Sequence, residues 1–316
     1  MLFHISTFIL LYLGGNSMTK VITTGNFKGG VGKTTNAVMI AYTLAKQDNQ
    51  VLLVDLDPQA NASDLLFTTM ALVFQNIERK TRRINPDGRA ITEEYWAIRG
   101  TETPIYDVTE FKAIVSNDLE KAIIKFMPNL DFIPSDEDLQ GLEKYLYTNF
   151  DTDYEQDHFF NNLLEPIKSN YDYIVMDVPP QLNKFTDSAL VASDYVIVVL
   201  QTQERSLSGA EKFVEHLLQI QNDYELGLDL LGVLPVLFQN GADIDLDVLN
   251  DARKSFGDAN MFKTEIKQMA RLKRFDRTGI TDNPHDIHDK RVHALYEKLC
   301  AEALNRMHLI QEVNHD

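Results

Sequence analysis

The stretch GNFKGGVGKTT, Gly25 to Thr35, decides the fold. It follows an apolar run, KVITTG from Lys20, and leads into a helical pattern over Lys33–Lys46. A strand, a glycine-rich turn and a helix in that order form a phosphate-binding loop. Gly29, Gly30 and Gly32 let backbone N–H groups approach phosphate oxygens with no Cβ in the way. Lys33 brings charge to the β and γ phosphates, Thr34 offers a hydroxyl to Mg2+, and the helix adds the positive end of its dipole. The common pattern G-x-x-x-x-G-K-[ST] would start with glycine at position 27, where this chain has Phe27. It carries instead an additional lysine, Lys28, directly before the glycine pair.

Outward from the loop, short β-rich apolar runs alternate with helical patterns. That alternation predicts an α/β fold, a mostly parallel twisted sheet with helices on both faces. Strands are expected at KVITTG, at QVLLVDLD from Gln50, LDFIPS from Leu130, YDYIVMDV from Tyr171, YVIVVLQ from Tyr195, LLGVLPVLF from Leu230 and MFKTEI from Met261. Helices are expected over Lys33–Lys46, His158–Lys168, Ala210–Gln221, Asp245–Ser255 and Val292–Met307. Two of the strands end in acids, Asp55 with Asp57 and Asp177. Carboxylates at the carboxyl ends of parallel strands face the crevice where open α/β sheets bind ligands.

Composition narrows the class. A chain of 316 residues, 44% hydrophobic, can bury one large α/β core or two modest ones. Its one cysteine, Cys300, permits no internal disulfide and fits a reducing cytosol. A formal charge of −17 argues against uniform coating of nucleic acid or anionic membrane, so any DNA contact must come from a local basic patch. No apolar run reaches the roughly 20 residues of a membrane-spanning helix.

A single domain is expected over residues 18–308, followed by a tail at 309–316. Residues 1–17 are apolar but short, with no basic segment ahead and no small-residue cleavage site. Leu-Gly-Gly-Asn-Ser before Met18 can be encoded by a purine-rich AGGAGG, so 1–17 is expected to be a translated ribosome-binding leader. Residues 70 to about 112 are polar and turn-rich and read as an insertion. Asn85-Pro86-Asp87-Gly88 between RKTRRI and RAITEEYWAI predicts a projecting hairpin.

KGGVGKTT, VDLDPQAN and YDYIVMDVPP, in this order and spacing, resemble the ParA family of deviant Walker ATPases that segregate plasmids and chromosomes. The resemblance runs from Lys20 to about Arg306, outside the insertion. It implies a P-loop NTPase with ATP and Mg2+ as cofactors, in which two subunits sandwich two nucleotides. By that resemblance Lys28 reaches the phosphates of the partner subunit's ATP, Lys33 binds phosphate in its own subunit, and Thr34 ligates Mg2+ with Asp57 and Asp177. Gly29, Gly30, Val31, Gly32 and Thr35 complete the loop, Asp57 positions the attacking water, and Asp177 with Pro179 forms the second switch. Phe27 stands where Gln or Gly is usual. Lys267 stands where the family's adenine-side segment often has proline, which leaves Asn240 as an adenine-side candidate.

The resemblance further implies an ATP-bound homodimer that binds DNA non-specifically, a ParB-like centromere-binding partner that stimulates hydrolysis, and a cytoplasmic, nucleoid-associated protein. Residues 252–277 carry eight Lys or Arg against three acids. Such a patch binds phosphate backbones without reading sequence. Arg271 aligns best with the family's DNA-contacting position, with Lys267, Lys273 and Arg274 as neighbours. The run Arg79-Lys80-Thr81-Arg82-Arg83 is a second basic candidate. Two readings compete with partition. A MinD-like positioning ATPase would need a basic amphipathic C-terminal helix, whereas this chain ends in LIQEVNHD. A nucleotide-gated binding protein without hydrolysis is told apart by phosphate release. An iron–sulfur reductase needs more thiolates than one cysteine supplies.

Overall fold

The computed structural model describes residues 18–84, 91–238 and 243–315. The expected leader at 1–17, the Asn85-Pro86-Asp87-Gly88 turn and Asn240 lie outside the described residues. The strands are β1 (Lys20–Gly25), β2 (Val51–Asp55), β3 (Ile77–Ile84), β4 (Ile91–Ile98), β5 (Ile124–Met127), β6 (Leu130–Ile133), β7 (Tyr173–Asp177), β8 (Tyr195–Gln201), β9 (Asp229–Phe238) and β10 (Ile266–Lys267). Eight of them make one sheet in the order β10-β9-β8-β1-β7-β2-β6-β5. Every pairing in it is parallel except β5 with β6.

The near-continuous apolar strands are buried on both faces, as a parallel sheet requires. Alternate residues divide between the two sides. Ile22, Leu53, Val175 and Ile197 join a core with the helices Lys33–Lys46 and Ile287–His315. Val21, Leu52 and Ile174 face the other way, with the helix Asp153–Lys168. Val196 and Val198 pack with Phe213 and Leu217 of the helix Glu204–Tyr224. The doubly covered α/β sheet read from the sequence is the observed architecture.

Several boundaries differ from expectation for identifiable reasons. The helix predicted from His158 begins at Asp153, because Thr152 and Glu155 form a reciprocal capping box. The strand expected over MFKTEI shrinks to Ile266–Lys267, with Met261 making only an isolated bridge to Val233. The last helix runs to His315, so the residues expected as a tail from 309 are helical up to that point.

The insertion does hold a hairpin. β3 and β4 pair antiparallel from Ile77↔Ile98 to Ile84↔Ile91 as a separate two-stranded sheet. Buried Ile77 and Ala97 root it in the core. Arg99 ties its base down, donating to the carbonyls of Gln75 (2.8 Å), Ala71 (2.9 Å) and Ile77 (3.0 Å).

Candidate functional site

The glycine loop connects β1 to the helix Lys33–Lys46, and its geometry depends on backbone positions open to few other residues. Gly30 and Gly32 have φ of 74° and 89°, the left-handed region, with Gly32 capping the helix. At Gly25 a Cβ would lie 2.0 Å from the Phe213 ring, so only glycine lets the strand end pass beneath that side chain. Phe27, the departure from the usual pattern, packs edge-on to Phe213 at 5.0 Å between centroids. It fastens the loop to the helix Glu204–Tyr224 by apolar contact.

Two asparagines organise the loop. Asn26 is fully buried; its Oδ1 accepts the Lys28 N–H at 2.7 Å and its Nδ2 donates to the Val199 carbonyl at 2.8 Å. Asn36 Nδ2 donates to the Gly32 carbonyl at 2.8 Å, and its Oδ1 accepts the Tyr296 hydroxyl at 3.0 Å. Neither residue stands out in the sequence. Their task follows from the peptide groups a tight loop leaves unpaired, and only the folded arrangement shows it.

A cleft of about 900 Å3 opens over the loop. Gly29, Gly30, Gly32, Lys33, Thr34 and Thr35 line one side; Asp57, Pro179 and Pro180 face them. Lys28 and Val31 do not line it; Val31 is buried and Lys28 half-buried. Asp276, from the helix Ala270–Thr278, reaches the rim without any sequence signal having marked it.

Lys33 is 6% exposed, and its ammonium donates to the Lys28 carbonyl at 3.3 Å. Burial lowers its pKa, outweighing Asp177 and Asp57, which act in the opposite direction. Behind the loop, Asp55 and Asp177 sit side by side in the β2–β7 register. Asp55 accepts the Ser63 hydroxyl (2.7 Å), the Ser63 N–H (2.9 Å) and the Asp57 N–H (3.2 Å), yet burial pushes its carboxyl up to about 7. Asp177 is fully buried, and neither oxygen has a hydrogen-bond partner among the described residues. Burial first, then Asp55, pushes it up to about 8, against the neighbouring Thr34 hydroxyl and Lys33 ammonium. A buried carboxyl group without a geometric hydrogen bond, beside a phosphate loop, has acceptor capacity left for a cation.

A family model described as an AAA domain matches residues 19–230. The sporulation initiation inhibitor protein Soj of Bacillus subtilis is 31% identical over 255 residues, 81% of this chain and 87% of its own length. The chain belongs to the ParA/Soj family of P-loop partition ATPases. The chromosome partitioning protein ParA of Caulobacter vibrioides is 32% identical over 241 residues, 76% of this chain and 77% of its own length. Solved structures agree on the fold. The McdA–ATP complex of Cyanothece superposes with a TM-score of 0.70 at 18% identity, covering 92% of this chain and 97% of that one. A plasmid partition protein of Borrelia burgdorferi bound to AMPPNP gives 0.63 at 22% identity, covering 92% and 98%.

The basic stretch of this ParA-family chain divides into two kinds of side chain. Lys267, Lys273 and Arg274 are exposed, the last two on the helix Ala270–Thr278. Arg271 is half-buried, paired with Asp286 and, at 3.1 Å, with Asp289. It braces that helix against the start of the last one. In the hairpin, Arg79 pairs with Glu94 at 2.8 Å, and Lys80 pairs with Glu102 and, at 3.5 Å, Glu78, so part of that basic run is neutralised locally.

Proposed function

We propose that this protein is an Mg2+-dependent DNA-partition ATPase whose residues 18–308 act as one domain and which dimerises around ATP. The observation that carries this reading is the cleft itself. Lys33, Thr34 and Thr35 face Asp57 and Pro179 across it, with the unpartnered Asp177 carboxylate behind. Lys33 would hold the β and γ phosphates while Asp57 orients water for an in-line attack. Among the described residues no group of three or more His, Cys, Asp or Glu side chains could hold a metal alone. Mg2+ would therefore arrive with nucleotide, completing its shell from phosphate oxygens, Thr34, Asp57 and Asp177. Lys28 does not line the cleft of its own chain, which supports a role on the nucleotide of a second copy.

DNA would meet the exposed Lys267, Lys273 and Arg274, with Arg271 acting through the position of their helix. Dimerisation doubles that patch and so raises avidity for DNA in the ATP state. A ParB-like centromere-binding protein would stimulate hydrolysis and release a nucleoid-associated, cytoplasmic ATPase. No helix among the described residues is long and apolar enough to cross a membrane. ATP turnover measured with and without duplex DNA tests the reading. Slow Mg2+-dependent phosphate release that rises with DNA supports it; nucleotide binding with no phosphate release overturns the ATPase assignment.

A further inference from the structure

The start of the glycine loop lies against one stripe of the helix Glu204–Tyr224. Ser206, Gly209 and Phe213 follow one another at spacings of three and four, which puts them on one helical face. Each meets a different part of the loop. The Ser206 carbonyl accepts Asn26 Nδ2 at 3.2 Å, and Phe213 packs against Gly25 and Phe27. Gly209 faces Asn26 and Lys28. A Cβ on it would stand 2.6 Å from Asn26 Oδ1, 3.1 Å from the Lys28 nitrogen and 3.2 Å from the Lys28 Cβ.

Nothing in the helix backbone asks for glycine at 209. Its φ is not positive, and inside a helix glycine is a poorer choice than alanine. The demand comes from the loop. Asn26 is fully buried with its Nδ2 on the Val199 and Ser206 carbonyls, so it cannot swing aside without leaving polar groups unpaired. The Lys28 N–H is bound to Asn26 Oδ1 at 2.7 Å, and the Lys28 carbonyl accepts the Lys33 ammonium at 3.3 Å. Both backbone polar groups of Lys28 are therefore held. Its side chain departs from a fixed point and does not line the cleft of its own chain.

We propose that Gly209 is a positioning residue, which fixes Lys28 for its task before nucleotide or a second subunit arrives. The inference rests on the reading that Lys28 serves the nucleotide of a second copy. A bare Cα at 209 lets the helix press Asn26 and Lys28 into one arrangement. A side chain there is wedged between them and frees the Lys28 N–H. A cation already held in place loses less freedom when the subunits meet, and its charge arrives where it is needed.

Gly209→Ala tests this at two levels. In the nucleotide-free protein, amide hydrogen exchange at Lys28, followed by NMR, should quicken by about tenfold as the bond to Asn26 opens. With ATP and Mg2+, kcat should fall by about tenfold or more, the cost of a group misplaced by about 1 Å, while KM stays within about twofold. Mixing then separates aim from damage. If the lesion acts through Lys28, turnover returns when Gly209→Ala is mixed with Asp57→Ala and stays low with Lys28→Ala. A defect confined to the variant's own nucleotide site gives the opposite pattern. Should Gly209→Ala not fold, Asn26→Ser withdraws the acceptor without adding volume and must behave alike. Unchanged Lys28 exchange, or recovery with Lys28→Ala in place of Asp57→Ala, overturns the inference. Faster exchange, with no recovery when Lys28→Ala and Asp57→Ala themselves are mixed, supports the positioning and overturns the role on the second copy.

Discussion

The Tyr296 hydroxyl donates to Asn36 across 260 positions of sequence, and Asn36 in turn holds the Gly32 carbonyl. The last helix therefore grips the phosphate loop through one fully buried phenol. Tyr296→Phe leaves Asn36 Oδ1 without its partner in the core, a loss of about 1–2 kcal/mol. Urea unfolding should show that cost. Nucleotide affinity, measured with a fluorescent ATP analogue, should fall as the loop loosens. An unchanged unfolding midpoint would show that the hydrogen bond carries no net stability.

If Lys28 acts on the other subunit's nucleotide, as proposed, Lys28→Ala should bind nucleotide but neither hydrolyse it nor dimerise tightly. On the proposed role of Asp57 in orienting water, Asp57→Ala should bind nucleotide and dimerise with turnover lost. Mixing the two separates trans from cis. In the mixed dimer a trans lysine puts both lesions on one site and leaves the other intact, so partial activity returns. Absent recovery in demonstrated mixed dimers, Lys28 acts in cis.

For DNA, the double variant Lys273→Glu with Arg274→Glu should weaken binding to random and AT-rich duplexes alike. It should also flatten the dependence of log K on log salt by about 1–2 units per subunit. Arg271→Ala should act differently, since its charge is engaged by Asp286 and Asp289. It should lower the melting temperature as well as the DNA affinity. A loss of DNA affinity at full stability would return Arg271 to direct contact with phosphate.

Glu110 is fully buried in the first turn of the helix Glu110–Val115, and neither carboxyl oxygen has a hydrogen-bond partner among the described residues. Burial, then Asp55 and Asp138, holds its pKa well above the usual carboxylate range. The folded chain thus keeps a proton that the unfolded chain releases above about pH 4.5. That stability is complete below the unfolded pKa and is lost as pH rises towards the folded one. Glu110→Gln cannot ionise. Denaturant titrations should find it near wild type at pH 4.5 and more stable by roughly 1–2 kcal/mol at pH 8. An equal difference at both pH values would assign the effect to packing.

The sheet and the phosphate loop were legible because their signals are local: apolar strands, glycines before Lys33, acids at strand ends. What escaped was set by distant partners. The helix Ala270–Thr278 offers only Leu272 and Phe275 as buried residues among charges, too short a stripe to show a period. The antiparallel edge strand Ile124–Met127 is four residues long, with Lys125 exposed. Asn26 and Asn36 read as ordinary polar residues until Val199 and Tyr296 arrive from far along the chain. Phe27 looked like a defect in a motif, and Phe213 gives it a contact.

The position of β1 in the sheet has a consequence for the chain's birth. β1 is hydrogen-bonded to β7 and β8 alone, its register running from Lys20↔Tyr173 to Gly25↔Val198. At translation rates of about 5–20 residues per second, roughly 150 residues must be made after β1 before its first neighbour exists, a wait of about 7–30 s. Throughout that interval the glycine loop has no strand to anchor it and no Asp177 beside it. A polypeptide still on the ribosome would be blind to nucleotide until its second half emerges, leaving an apolar strand in need of shelter in the meantime.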